Sequence, residues 1–84
     1  MPYQILIKPI AVKALEKIND PFYSAIKIAI YNLADDPRPH GYKKLQGRDS
    51  FRIRVNDYRI IYNIADTVLV VEVINIGHRK DIYP

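Results

Sequence analysis

The sequence predicts an α+β fold: an N-terminal strand, a helical hairpin, then a mostly antiparallel sheet of about four strands. Three observations support this. Two stretches with apolar residues at helical spacing stand next to each other in the first half, residues 10–18 and 22–33. The second half alternates apolar and polar residues with period two and is rich in valine, isoleucine and tyrosine. Helical and strand-like stretches are also segregated along the chain, whereas a parallel sheet built from βαβ units would alternate them.

Residues 3–8 alternate and are stopped by Pro9, which suits the first turn of a helix. Ile10, Ala11, Ala14, Leu15 and Ile18 then form one apolar stripe, with Lys13, Glu16 and Lys17 outside it. Asn19-Asp20-Pro21 breaks and restarts the helix, with Asp20 placed to cap and Pro21 to occupy the first helical position. The second helix carries Phe22, Ala25, Ile26, Ala29, Ile30 and Leu33 on one face. It ends near Asp35-Asp36, because Pro37 and Pro39 cannot continue it. A basic loop follows, with a short strand expected over 42–45.

Residues 51–55 and 58–64 read as a hairpin turning at Asn56-Asp57. A second turn at Ala65-Asp66 leads to a strand over 68–76, read as a central strand buried on both faces and ended by Gly77. HRKDIYP is a short charged tail. The order of the elements leaves the direction of the first strand open.

At 84 residues the chain is read as a single domain over 1–84, with an expected stability of about 4–12 kcal/mol. A hydrophobic fraction of 49% beside 26% charged residues places it among globular rather than disordered chains. The net charge of +4 favours acidic partners. The absence of cysteine excludes disulfide scaffolds, thiolate nucleophiles and cysteine metal sites, and fits a reducing, cytoplasmic compartment. His40 and His78 are the only imidazoles, and no cluster has metal-ligand spacing, so neither metal nor cofactor is expected. No secretory leader or membrane span is read.

Parity assigns the faces of the hairpin. Phe51, Ile53, Val55, Tyr58, Ile60 and Tyr62 fall on the side that packs against the helices. Arg52, Arg54, Arg59 and Ile61 fall on the other. Arg54 then faces Arg59 directly. A two-residue turn at Ala65-Asp66 would bring Glu72 opposite Arg59, as a carboxylate available to orient it. Arginine at one outward strand position is ordinary. Three on one face are harder to dismiss, because like charges opposed across strands destabilise a sheet. Local conflicts of that kind concentrate at functional sites. Guanidinium forks match phosphate oxygens, so a polyanion, most commonly nucleic acid, is the expected ligand.

With the helix pair, the segments KKLQG, FRIRV, DYRIIY, VVEVINIG and GHRKDIY resemble the RelE/ParE superfamily of type II toxins. The resemblance covers nearly the whole chain and is strongest from Lys44 to Tyr83. It looks closest to the RelE branch, whose members are ribosome-dependent endoribonucleases that cut messenger RNA in the decoding site. It implies a catalytic set of Arg52, Arg54, Arg59, Arg79 and Tyr83, with Arg59 as the transition-state arginine. His78, next to Arg79 in sequence, is a secondary candidate that alternation turns away from it.

Two departures bear on this set. Gln46 stands where some members have a further arginine. Arg52 and Arg54 stand where lysines are common, and arginine effectively cannot shed a proton, which argues against a general base there. Lys43, Lys44 and Arg48 are either a solvated loop or contacts to ribosomal RNA. The row Tyr23, Lys27 and Tyr31 on the second helix is either a plain surface row or part of an antitoxin-binding surface. His40 reads as a loop residue.

The implied partners are a cognate antitoxin, messenger RNA and the ribosome, with operator DNA reached only through the antitoxin. Two other functions compete with the nuclease: a ParE-like inhibitor of DNA gyrase, and an inactive, regulatory member of the fold.

Overall fold

The computed structural model describes residues 2–78. Strand β1 spans Gln4–Ile7, and helix α1 spans Pro9–Glu16 with Pro9 in its first turn and an extended Lys8 before it. Ala11 and Leu15 are the buried positions of α1, and Ile18 follows just beyond its end. Helix α2 spans Phe22–Asn32. Pro21 is the residue preceding this helix, one position earlier than expected. Asp20 still serves its N-terminus, accepting from the Ser24 backbone N–H at 2.9 Å and from its hydroxyl at 2.6 Å. These bonds hold the Asp20 carboxyl below its ordinary pKa.

Four further strands follow: β2, Lys43–Lys44; β3, Phe51–Val55; β4, Tyr58–Ala65; and β5, Val70–His78. They form one five-stranded sheet in the order β1-β5-β4-β3-β2. β1 runs parallel to β5, which fixes the direction that the sequence left open, and the other pairings are antiparallel. The hairpin register is the one parity predicts: Ile53 faces Ile60, Arg54 faces Arg59 and Val55 faces Tyr58.

Both helices cover the same face. Ile26, Ile30 and Leu33 of α2 and its end join Ala11 and Leu15 over Ile53, Ile60, Tyr62, Val71, Val73 and Ile76. Phe51, Val55 and Tyr58 pack at the margin of this core, as their parity requires. Burying each such side chain contributes about 1.5–3 kcal/mol of transfer free energy.

The last turn departs from expectation. Residues Asp66–Val68 form a 3-10 turn, and Leu69 after it is left-handed, with φ of 54°. The connection is therefore longer than two residues, with Ala65 pairing with Val70, and β5 starts later than predicted and runs past Gly77. A register shift follows: Tyr62 pairs with Val73, but Ile61 pairs with Asn75, so Ile74 is an extra residue on β5.

Together these changes put Glu72 opposite Asn63 instead of Arg59. Four residues of β4 separate those positions, about 13 Å of strand. Among the described residues, the ladder partners of Arg59 are Arg54 and Gly77. The prediction that β5 is buried on both faces also fails. Val71, Val73 and Ile76 are buried while Val70, Glu72 and Ile74 are only partly so, because both helices lie on one side.

Candidate nucleic-acid interface

The sheet face away from the helices carries the basic cluster. Arg54 and Arg59 are direct cross-strand partners, and Arg52 lies two residues along β3, opposite Ile61. Arg54 is exposed and the other two arginines are half-buried. Ile61, opposite Arg52 and two residues along β4 from Arg59, is 3% exposed and adds an apolar position to this face.

β2 adds a fourth cation. Lys43 pairs with Arg52 and shares its face, whereas Lys44 pairs with Phe51 and so falls on the opposite side. Lys44 Nζ lies 3.6 Å from Asp49 Oδ1. Arg48 is exposed in the loop that follows β2 and takes no part in the β2–β3 pairing. Of the three cations proposed from the loop, the structure therefore brings one to the arginine face.

His78 is placed elsewhere. It pairs with Tyr58, a helix-side residue, meets the Tyr58 ring edge-on at 5.6 Å, and has Nε2 3.9 Å from Asp57 Oδ2. It thus lies on the opposite face from Arg52, Arg54 and Arg59. Arg79 and Tyr83 lie outside the described residues.

Two contacts that sequence reasoning missed secure the loop leading to β2. The buried Tyr62 hydroxyl donates to the Pro37 carbonyl at 2.8 Å, and burial pushes this phenol up to about 12. Arg38, on the surface between two prolines, makes a two-pronged contact to Asp66 at 2.9 and 3.2 Å. Tyr3 donates to the same carboxylate at 2.7 Å. Hydrogen bonds from Arg38, then from Tyr3, hold the Asp66 carboxyl down at about 2. The Arg38 guanidinium also lies 5.8 Å from the centre of the Phe51 ring. One surface ion network thus joins β1, the loop and the turn before β5.

Because β2 is only two residues long, the outer edge of β3 beyond Arg52 has no strand neighbour among the described residues. Between that edge, α2 and the loop lies a groove of about 660 Å³. Arg52, Arg54 and Lys43 of the strands line it together with Asn32, Asp36 and His40 of the helix end and loop. The sequence singles out the groove's cations, Arg52, Arg54 and Lys43, but marks Asn32, Asp36 and His40 only as a helix end and a loop.

Solved structures of similar chains define the class. An archaeal RelE–RelB complex from Pyrococcus horikoshii matches with a TM-score of 0.84 at 28% identity, over 94% of this chain and 97% of the matched one. The RelBE toxin–antitoxin complex of E. coli matches with a TM-score of 0.78 at 26% identity, over 90% and 95%. A RelBE toxin–antitoxin complex of Mycobacterium tuberculosis shares the fold with a TM-score of 0.83 at 24% identity, over 94% and 100%. No curated protein sequence matches.

The fold is that of a RelE/ParE superfamily type II toxin. Within that class, the family model for the ParE toxin of type II toxin–antitoxin system, parDE, matches residues 5–83, and the chain belongs to that family.

Proposed function

We propose that this toxin is a ribosome-dependent endoribonuclease that cuts messenger RNA in the decoding site and is held inactive by a cognate antitoxin. The observation that supports it best is the gathering of Arg52, Arg54 and Arg59 on the sheet face that the helices leave bare. The RelE chains of Pyrococcus horikoshii and E. coli, solved in complex with RelB, support an antitoxin partner. Operator DNA would be reached only through that partner.

In this reading the ribose 2′-oxygen attacks the adjacent phosphorus and the bond from phosphorus to the 5′-oxygen breaks. The products are a 2′,3′-cyclic phosphate and a 5′-hydroxyl. The 2′-OH is also what separates RNA from DNA as substrate. Arg59, with Arg52 and Arg54, stabilises charge developing on the phosphate oxygens, usually the largest single contribution to such catalysis. Tyr83 orients the 2′-OH or takes its proton, and Arg79 stabilises the departing 5′-oxygen or helps deliver a proton to it. A phenol titrating near ~10 is a weak base at neutral pH unless neighbouring cations lower it. Slow intrinsic chemistry of this kind fits an enzyme whose substrate is positioned by the ribosome. Lys43 contacts phosphate beside Arg52, while Lys44 and Arg48 face ribosomal RNA.

The family match favours a second reading, a ParE-like inhibitor of DNA gyrase. Inducing the chain in cells and mapping messenger RNA 5′ ends separates the two. Codon-phased breaks that vanish in Arg59→Ala and Tyr83→Phe are the expected result. Intact messages together with DNA damage would replace the nuclease with the gyrase reading.

A further inference from the structure

The groove beside the open edge of β3 has a composition that the cleavage chemistry does not require. At about 660 Å³ it falls within the range of small-molecule sites. Ala29, Leu33 and Pro39 give it apolar walls suited to the faces of a flat ring. Arg52, Arg54 and Lys43 are the cations among its lining residues, and Asp36 is the acid. A groove that only tracked a sugar-phosphate backbone would gain nothing from a carboxylate, which repels phosphate. A carboxylate is useful there if something rich in N–H donors reaches it.

We infer that this groove is a base-binding subsite for the nucleotide next to the cleaved phosphate, with Asp36 reading the base. The inference rests on the nuclease reading above and deepens it. Asp36 Oδ1 accepts the Arg38 backbone N–H at 3.1 Å, which fixes the direction of the carboxylate. An ionised carboxylate only accepts hydrogen bonds, so its complement is a base edge with two neighbouring donors. Guanine offers such a fork in N1–H and the 2-amino group. Adenine and cytosine place a ring acceptor beside their amino group, and uracil sets its single N–H between two carbonyls, so each would put a lone pair against the carboxylate. His40 is an exposed lining residue, and an imidazole can stack on a base, as aromatic side chains do on unpaired RNA bases. The arginines that stabilise the phosphate also flank the groove, so base and phosphate of one nucleotide would be held by adjoining side chains.

The test is a titration of the isotope-labelled toxin with GMP, AMP, CMP and UMP, followed by backbone amide shifts. GMP is expected to shift the amides of Asn32, Gly41 and Ile53 and to bind at least about fivefold tighter than AMP, the low end of what a good two-pronged base contact discriminates. Asp36→Asn keeps an oxygen for the Arg38 N–H but turns one arm of the fork into a donor, and should abolish the preference for GMP. Ala29→Leu fills the groove and should weaken all four nucleotides together. Equal binding of the four, shifts mapping to another face, or an unchanged preference in Asp36→Asn would overturn the inference.

The titration needs neither ribosome nor cleavage, so it separates this idea from the one beneath it. If wild-type messages stay intact while GMP still binds selectively in the groove, the nuclease reading alone has failed. If codon-phased breaks occur and Asp36→Asn leaves their base preference unaltered, the subsite alone has failed.

Discussion

Arg54 lies directly across from Arg59 in the β3–β4 ladder, one guanidinium opposed to another on the face the helices do not cover. A substitution that reverses one of these charges should therefore separate stability from activity. Arg54→Glu replaces a repulsive cross-strand pair with an attractive one, worth about 0.2–1 kcal/mol. Its Tm should rise by roughly 1–8 °C in thermal unfolding, while messenger RNA cleavage on induction is lost. A fall in Tm would show that the opposed cations are not in conflict in the folded chain.

The hydrogen bond from Tyr62 to Pro37 fastens the loop before β2 to the core. Tyr62→Phe keeps the ring and removes the donor, leaving a shielded carbonyl unsatisfied, at a cost of about 1–3 kcal/mol. The Tm should drop by several degrees, with amide exchange accelerating in the loop first. An unchanged Tm would mean that water replaces the phenol there.

Asp66 gives the ion network a defined pH dependence. Its carboxyl titrates at about 2 in the folded chain, against an ordinary value of 3.8. A group depressed in this way contributes its full stability above 3.8 and loses it as pH falls through the window down to about 2. The Tm difference between wild type and Asp66→Asn should therefore be constant above that window and shrink within it. Because the contact is exposed, added salt should narrow the difference at neutral pH. A gap that persists below pH 2 would assign the effect to something other than charge.

His78 and Tyr83 are distinguishable by their loss. His78 lies against Tyr58 on the helix side of the sheet, so His78→Gln should cleave messenger RNA at a rate of the same order as wild type. Tyr83→Phe should lose cleavage by roughly the 10²–10⁴-fold expected when an acid–base group is removed. The reverse ranking, measured by 5′-end mapping after induction, would reassign the proton acceptor.

The limits of the sequence follow from where its signals are local. The hairpin was legible because Asn56-Asp57 is a short turn of suitable residues, and Asn56 indeed takes a left-handed φ of 54°. From there parity alone delivers the faces and the three arginines. The next turn hides its geometry, since Leu69 is also left-handed and no residue type announces that. That single misreading, with the extra residue at Ile74, moved Glu72 away from Arg59. Arg38 and Asp66 meet across 28 positions of sequence, and nothing in either neighbourhood points to the other. The groove depends on how soon β2 stops pairing, a length that propensity does not set.

The strand that holds the sheet together is also the last in chain order among the described residues. β5 sits between β1 and β4, so the first and the later strands of the chain have no ladder between them until it arrives. On the ribosome, a growing chain that has already displayed its arginine hairpin would still lack the spine on which that hairpin is mounted. In that order of synthesis, the arginine face gains its mount only once β5 has been made.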